Sequence, residues 1–218
     1  MDIKLATIEW NPIWRIIPSR FPPVDLFHRI ADPDDFAALI EIESMTNDRL
    51  RAEKNEIKMI SPDHVPTGPG SSYIMAAFSH LNPDGSRFSD GSFGVFYGAY
   101  DYLTAVAESK FHRAQFLNAT KEAPIEIDMR VLKAKLSANL HDIRKRQNNY
   151  THSQDFAKKL RVDGSSGIAY SSVRCEREGD CAAIFLPDAL SDCQADHHLC
   201  YVWNGNEIVT VYKKSLLS

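Results

Sequence analysis

The 218-residue sequence contains no apolar run near the ~18 residues a membrane-crossing helix needs. It also lacks a strong excess of one charge, with 25 Lys+Arg against 29 Asp+Glu. The first lack excludes a helical membrane anchor within the sequence. The second argues against a protein that works mainly by coating nucleic acid. No G-x-G-x-x-G follows a strand-like run, which argues against a dinucleotide-binding enzyme of hydride transfer. Cysteine is scarce and late: Cys175, Cys181, Cys193 and Cys200 are the four. Together with His197 and His198 they invite a zinc reading, but no two form the tight C-x-x-C pair that structural zinc sites use. Free, partly buried thiols are expected, and no metal. The opening Met-Asp-Ile-Lys has no apolar core of an export signal. A reducing cytoplasm is therefore the expected location, where thiols stay free.

What is present fits a folded domain. Hydrophobic residues make up 44% and charged residues 25%, which is ordinary for a globular chain and unlike a disordered one. The length predicts one domain over 1–218, with an N-terminal wrapping segment and helix over 1–60 and the core over 61–218. A chain of this size buries about 70% of its unfolded surface and needs no staple. Charge is uneven along it. Residues 1–129 carry 12 cations and 19 anions, residues 130–161 carry 9 and 2, and residues 162–218 carry 4 and 8.

Local signals predict a mixed α+β fold with a small central β core flanked by helices. Prolines 12, 18, 22 and 23 predict an extended start that wraps over a surface. Asp32-Pro33 opens a helix running to about Leu50. Residues 61–70 read as a Pro/Gly loop, and Tyr73 to Phe78 as helix or strand. Phe93 to Ala99 alternates as a strand, with Phe93, Val95, Tyr97 and Ala99 on one face. Leu103, Val106, Ala107, Phe111, Ala114 and Leu117 then recur at helical spacing. The basic segment predicts helices near 130–140 and 153–161, the second capped by Ser153. Strands are expected at Ile168 to Arg174, Cys181 to Leu186 and Glu207 to Tyr212.

The chemistry-bearing residues lie in two stretches: Ser86-Arg-Phe-Ser-Asp-Gly91 through Glu108, and Tyr170-Ser-Ser-Val-Arg174. Arginines grip phosphate oxygens bidentately, and a tyrosine ring stacks on a flat heterocycle. A carboxylate beside a ribose stabilises positive charge developing on the sugar. This set suits a dinucleotide whose glycosidic bond is to be broken. NAD is the natural candidate, because its nicotinamide leaves as a neutral molecule. Each residue also has a plainer reading: Arg87 pairing with Asp90, Tyr97 as a core aromatic, Glu108 paired with His112 one turn on, and Ser172 as filler on a half-buried strand.

The sequence resembles the RES-domain toxins of Xre–RES type II toxin–antitoxin systems. The resemblance rests on Thr46-Asn-Asp-Arg-Leu50, Gly68-Pro-Gly70 with Met75-Ala-Ala-Phe-Ser-His80, Ser86 through Glu108, and Gly167 through Arg174. It implies a fold similar to the ADP-ribosyltransferases related to diphtheria toxin, and an attack on NAD with water, phosphate or a protein as acceptor. A mono-ADP-ribosyltransferase with a dedicated protein target is the alternative. It also implies an Xre-type antitoxin as partner. The family's arginine falls on Arg87, its tyrosine on Tyr97, its glutamate on Glu108 and its serine on Ser172; these are expected to act on NAD, with Arg174 and His80 as further binding residues. Ser171 stands where the family often has proline, which leaves Ser171 open beside Ser172, but a shared strand face with Arg174 favours Ser172. Gly98 replaces an expected alanine. A third reading, of another class, is a non-enzymatic protein that holds nucleic acid with the basic segment 130–161. Its few aromatics, Tyr150 and Phe156, weigh against it.

Overall fold

The computed structural model describes residues 3–19, 60–144 and 152–215. The expected helix from Asp32 to Leu50, and the Thr46–Leu50 stretch, lie outside these residues. The described elements run β1 (Leu5–Pro18), α1 (Ser71–Ser79), β2 (Phe96–Ala99), α2 (Tyr102–Ala119), β3 (Ile125–Asp142), α3 (Ser153–Val162), β4 (Gly167–Ser171), β5 (Asp180–Ile184), β6 (Leu190–Trp203) and β7 (Ile208–Lys214). The fold is thus mixed α+β around a seven-stranded sheet.

The sheet order is β1-β2-β5-β4-β3-β6-β7, and β1 also pairs with β3. That extra pairing turns five strands into a closed ring, with β6 and β7 continuing from β3. The strand β1 is antiparallel to β3 from Leu5↔His141 to Pro18↔Met129, with an irregularity between Trp10 and Ile13. The expected proline-rich wrap is therefore an inner strand. It is extended as predicted, but Ile8, Trp10 and Ile13 are buried against Leu132, Ala134, Leu136 and Leu140 of β3. Burying such side chains stabilises by about 1.5–3 kcal/mol each, which fixes the strand in the sheet.

The predicted helix over 130–140 is also overturned. Those residues lie in the middle of β3. Leu132, Ala134, Leu136 and Leu140 are buried, whereas Lys135, Ser137 and Asn139 are exposed. That alternation is a strand period, and it overrides the helix propensity of Ala, Leu and Lys. Ser153 begins α3 but does not cap it; His152 is at the cap position, without a side-chain cap bond. The strand β6 had no counterpart among the expected elements.

Elsewhere the elements fall near their predicted places. Tyr73–Phe78 resolves to helix, within α1. Only Phe96–Ala99 forms ladder pairs, yet Phe93, Val95, Tyr97 and Ala99 do share one hydrophobic cluster, as alternation requires. Gly98 is explained by β1: a Cβ there would lie 2.6 Å from Ile13 Cγ1 and 3.1 Å from the Trp14 carbonyl oxygen. The helix α2 is capped by Asp101, whose carboxylate accepts from the Thr104 amide at 2.9 Å. Its packed side differs from the expected stripe. Leu103 is 55% exposed, while Tyr102, Val106, Ala114 and Leu117 pack on Met129, Val131, Tyr201 and Trp203.

Candidate active site

Three pieces of chain meet around Glu108. The first is the Ser86–Ser89 turn, closed by a Ser86 amide bond to the Ser89 carbonyl at 2.7 Å and carrying Arg87. The second is β2 with Tyr97. The third is the turn just after β4, with Ser172. The first turns of α2 supply Glu108 itself. The sheet brings these together because β5 lies between β2 and β4, pairing Tyr97 with Ala183 and Tyr170 with Cys181.

Glu108 is partly buried, with its side chain 20% exposed. The Ser172 hydroxyl donates to Glu108 Oε1 at 2.5 Å, and His112 Nε2 lies 3.6 Å from Oε2. Burial pushes the Glu108 carboxyl up, but the nearby His112, the hydrogen bond from Ser172 and the charge of Arg87 outweigh it. The carboxyl is held below the ordinary glutamate range, so it stays ionised at neutral pH. The plain reading of Glu108 as a partner of His112 is thus true as well, and it supports the charge.

Ser172 is fixed in turn. Its Oγ accepts from the amides of Arg174 at 3.1 Å and Cys175 at 3.2 Å. With both lone-pair positions occupied, its proton points at Glu108. Ser172 is not on a strand, because β4 ends at Ser171. Ser171 instead donates to the Arg144 carbonyl at 2.9 Å. Of the two serines, Ser172 is therefore the one that meets the glutamate.

The Arg87 guanidinium lies over the Tyr170 ring at 4.5 Å and the Phe88 ring at 5.0 Å. Those two rings meet edge to face at 5.1 Å. The two rings bracket the guanidinium and set the plane of the arginine fork. The expected alternative partner, Asp90, is engaged by Ser92 and by Lys158 Nζ at 2.9 Å. Tyr97 turns its hydroxyl into the same turn. It shares a 2.8 Å hydrogen bond with Ser86 Oγ and accepts the Phe88 amide at 3.0 Å. Burial pushes its phenol up, against the opposing pull of Ser86, Phe88 and the two arginines Arg87 and Arg15. Arg174 is exposed and stacked on Phe111 at 3.6 Å, one turn along α2 from Glu108. His80 ends α1, its amide bonded to the Ala76 carbonyl. It is half-buried at that end of the helix.

Sequence reasoning missed the aromatic bed of Arg87, made by Phe88 and Tyr170, and also Arg15. Arg15 donates from Nη1 to the Tyr97 carbonyl at 2.9 Å and lies over Phe96 at 4.7 Å. Burial pulls its guanidinium down to about 10. The adjacency of Phe88 to Arg87 was the one available signal; nothing in the sequence ties residue 15 to residue 97.

Among the described residues of the basic segment, four cations are held in ion pairs. Lys133 pairs with Asp196, Lys135 with Asp192, Lys158 with Asp90, and Arg144 with both Asp142 and Asp180. Lys145 and Arg146 lie outside the described residues. The four cysteines are free thiols.

Comparisons with known proteins agree with the sequence reading. Residues 62–204 match the model of the RES domain. The chain is 37% identical over 208 residues to a Sinorhizobium fredii protein named uncharacterized protein y4oC, covering 93% of this chain and 87% of that one. Among solved structures, a chain of the M. tuberculosis MbcT-MbcA toxin-antitoxin complex aligns with a TM-score of 0.43 and 10% identity, over 87% of this chain and 86% of that chain. Since the family model spans well over half of the sequence and takes in Arg87, Tyr97, Glu108 and Ser172, this chain belongs to the RES domain family.

Proposed function

We propose that this protein is the toxin of a toxin–antitoxin module and that it breaks the nicotinamide–ribose bond of NAD. The observation that carries the reading is the ionised Glu108, aimed by Ser172 and set beside an arginine on an aromatic bed. Breaking the bond releases neutral nicotinamide and leaves positive charge on the ribose. A fixed carboxylate in a half-dry site stabilises that charge as it forms. Arg87 grips the pyrophosphate with its fork, and Arg174, exposed on Phe111 one turn along α2 from Glu108, offers a second cation. Tyr97 spends its hydroxyl on the Arg87 turn, so its ring is what it offers to nicotinamide. The antitoxin is expected to bind the toxin and block access to these residues.

Purified protein is expected to release nicotinamide from NAD, and Glu108→Gln to lower the rate at least about a hundredfold. Near-normal turnover by Glu108→Gln would remove Glu108 from this role. Following free ADP-ribose, ADP-ribose-1″-phosphate and labelled protein in one incubation identifies the acceptor as water, phosphate or a protein side chain.

A further inference from the structure

Arg87 is carried by a poorly supported stretch. Between Ser79 and Phe96 the chain has no helix and no ladder strand, only the single Ser86–Ser89 bridge. Such segments are ordinarily among the first to open. From within, the stretch is held by buried Phe88 and by the Tyr97 hydroxyl. From outside it is held by one face of α3. Gln154 Nε2 donates to the Ser86 carbonyl at 2.8 Å and to the Ser89 carbonyl at 3.1 Å, the two residues that bracket the Arg87 turn. Both amide protons are thereby used. One turn on, Lys158 Nζ reaches Asp90 at 2.9 Å. One turn further, Arg161 lies over Phe93 at 4.9 Å. Positions 154, 158 and 161 follow the i, i+4, i+7 spacing of a single helix face.

We infer that this face of α3 is a clamp that sets the position of Arg87, with Gln154 and Lys158 as positioning residues for the grip on the NAD pyrophosphate. The inference rests on the reading of Arg87 given above. It also gives the C-terminal end of the basic segment a role: its cations tie down the turn that carries the phosphate-binding arginine.

The test has a structural arm and a kinetic arm. Gln154 and Lys158 are exposed, so their variants are expected to fold with unchanged far-UV spectra. In Gln154→Ala the amides of Ser86 and Phe88, read by NMR, are expected to exchange about tenfold faster than in the parent. KM for NAD is expected to rise about tenfold with kcat within twofold, the mark of lost uniform binding. Lys158→Ala is expected to raise KM about threefold, and Lys158→Arg to restore it. In an Arg87→Lys background Gln154→Ala should add no further penalty, because its effect passes through the Arg87 fork. Unchanged exchange at Ser86 and Phe88 overturns the clamp, as does an undiminished penalty in the Arg87→Lys background. A parent that leaves NAD intact, while Gln154→Ala still frees those amides, refutes the NAD reading and keeps the clamp.

Discussion

Replacing Ser172 with alanine isolates one hydrogen bond at the centre of the site. The hydroxyl donates to Glu108 Oε1 at 2.5 Å, and the acceptor is a charged group whose side chain is only 20% exposed. A hydrogen bond to a charged group in such a place is worth about 1.5–3 kcal/mol. At about 1.36 kcal/mol per tenfold in rate, that is a loss of about 10- to 150-fold in kcat/KM for nicotinamide release. The pH dependence gives a second, independent reading. Ser172 helps hold the Glu108 carboxyl low, against the upward push of burial. Its removal raises the carboxyl, so the acid limb of the rate profile moves to higher pH. The same linkage acts on stability: a depressed carboxyl stabilises the fold above the ordinary glutamate range, and that contribution fades as pH falls through the depressed value. In Ser172→Ala this acid-sensitive part shrinks. Ser171→Ala is the internal control, because Ser171 donates to the Arg144 carbonyl and not to Glu108. Its activity and acid limb are expected to match the parent. Equal losses in the two alanine variants, or an acid limb that stays in place in Ser172→Ala, would refute the reasoning.

Two further predictions concern the scaffold. Gly70 stands at the N-cap of α1 with φ of +89°, and a Cβ there would sit 2.0 Å from the Cys193 carbonyl oxygen; Gly70→Ala is expected to cost about 3 kcal/mol and lower Tm by about 6–12 °C in a thermal melt. Arg144 binds Asp142 and Asp180 at 2.8 and 2.7 Å, with all three partly buried; Arg144→Ala leaves two carboxylates facing each other and is expected to lower Tm by about 3–6 °C, with recovery in Asp180→Asn.

The elements nearest the site were the most legible in the sequence. The alternation from Phe93 to Ala99 and the helical run after it place Tyr97 and Glu108 correctly, because both segments have strong local patterns. The residues of 130–140 misled for a physical reason. Ala, Leu and Lys favour helix one by one, whereas the alternation of Leu132, Ala134, Leu136 and Leu140 encodes a strand. Here the period carried more information than the composition. The strand β6 hid because its ladder with β3 shifts register twice, between Arg130 and Leu132 and between Lys133 and Lys135. Such bulges break the simple alternation that would announce a strand. Within the site, Glu108–His112 could be read from spacing alone. Ser172–Glu108 spans 64 residues and Arg15–Tyr97 spans 82. Contacts of that range come from the sheet, and no local pattern reports them.

The ring closed by β1 has a consequence for synthesis. Residues 5–18 are made early, yet their partners at 129–141 emerge from the ribosome more than a hundred residues later. The strands β4 and β5, which join β3 to β2, come later still. A nascent chain that has just exposed Arg87, Tyr97 and Glu108 therefore has neither the ring nor Ser172. Pairings of this range are slow to form and leave an apolar strand waiting. Under the proposed function, this order delays activity until β5 is out, and a translation product that stops before β4 carries the glutamate without Ser172.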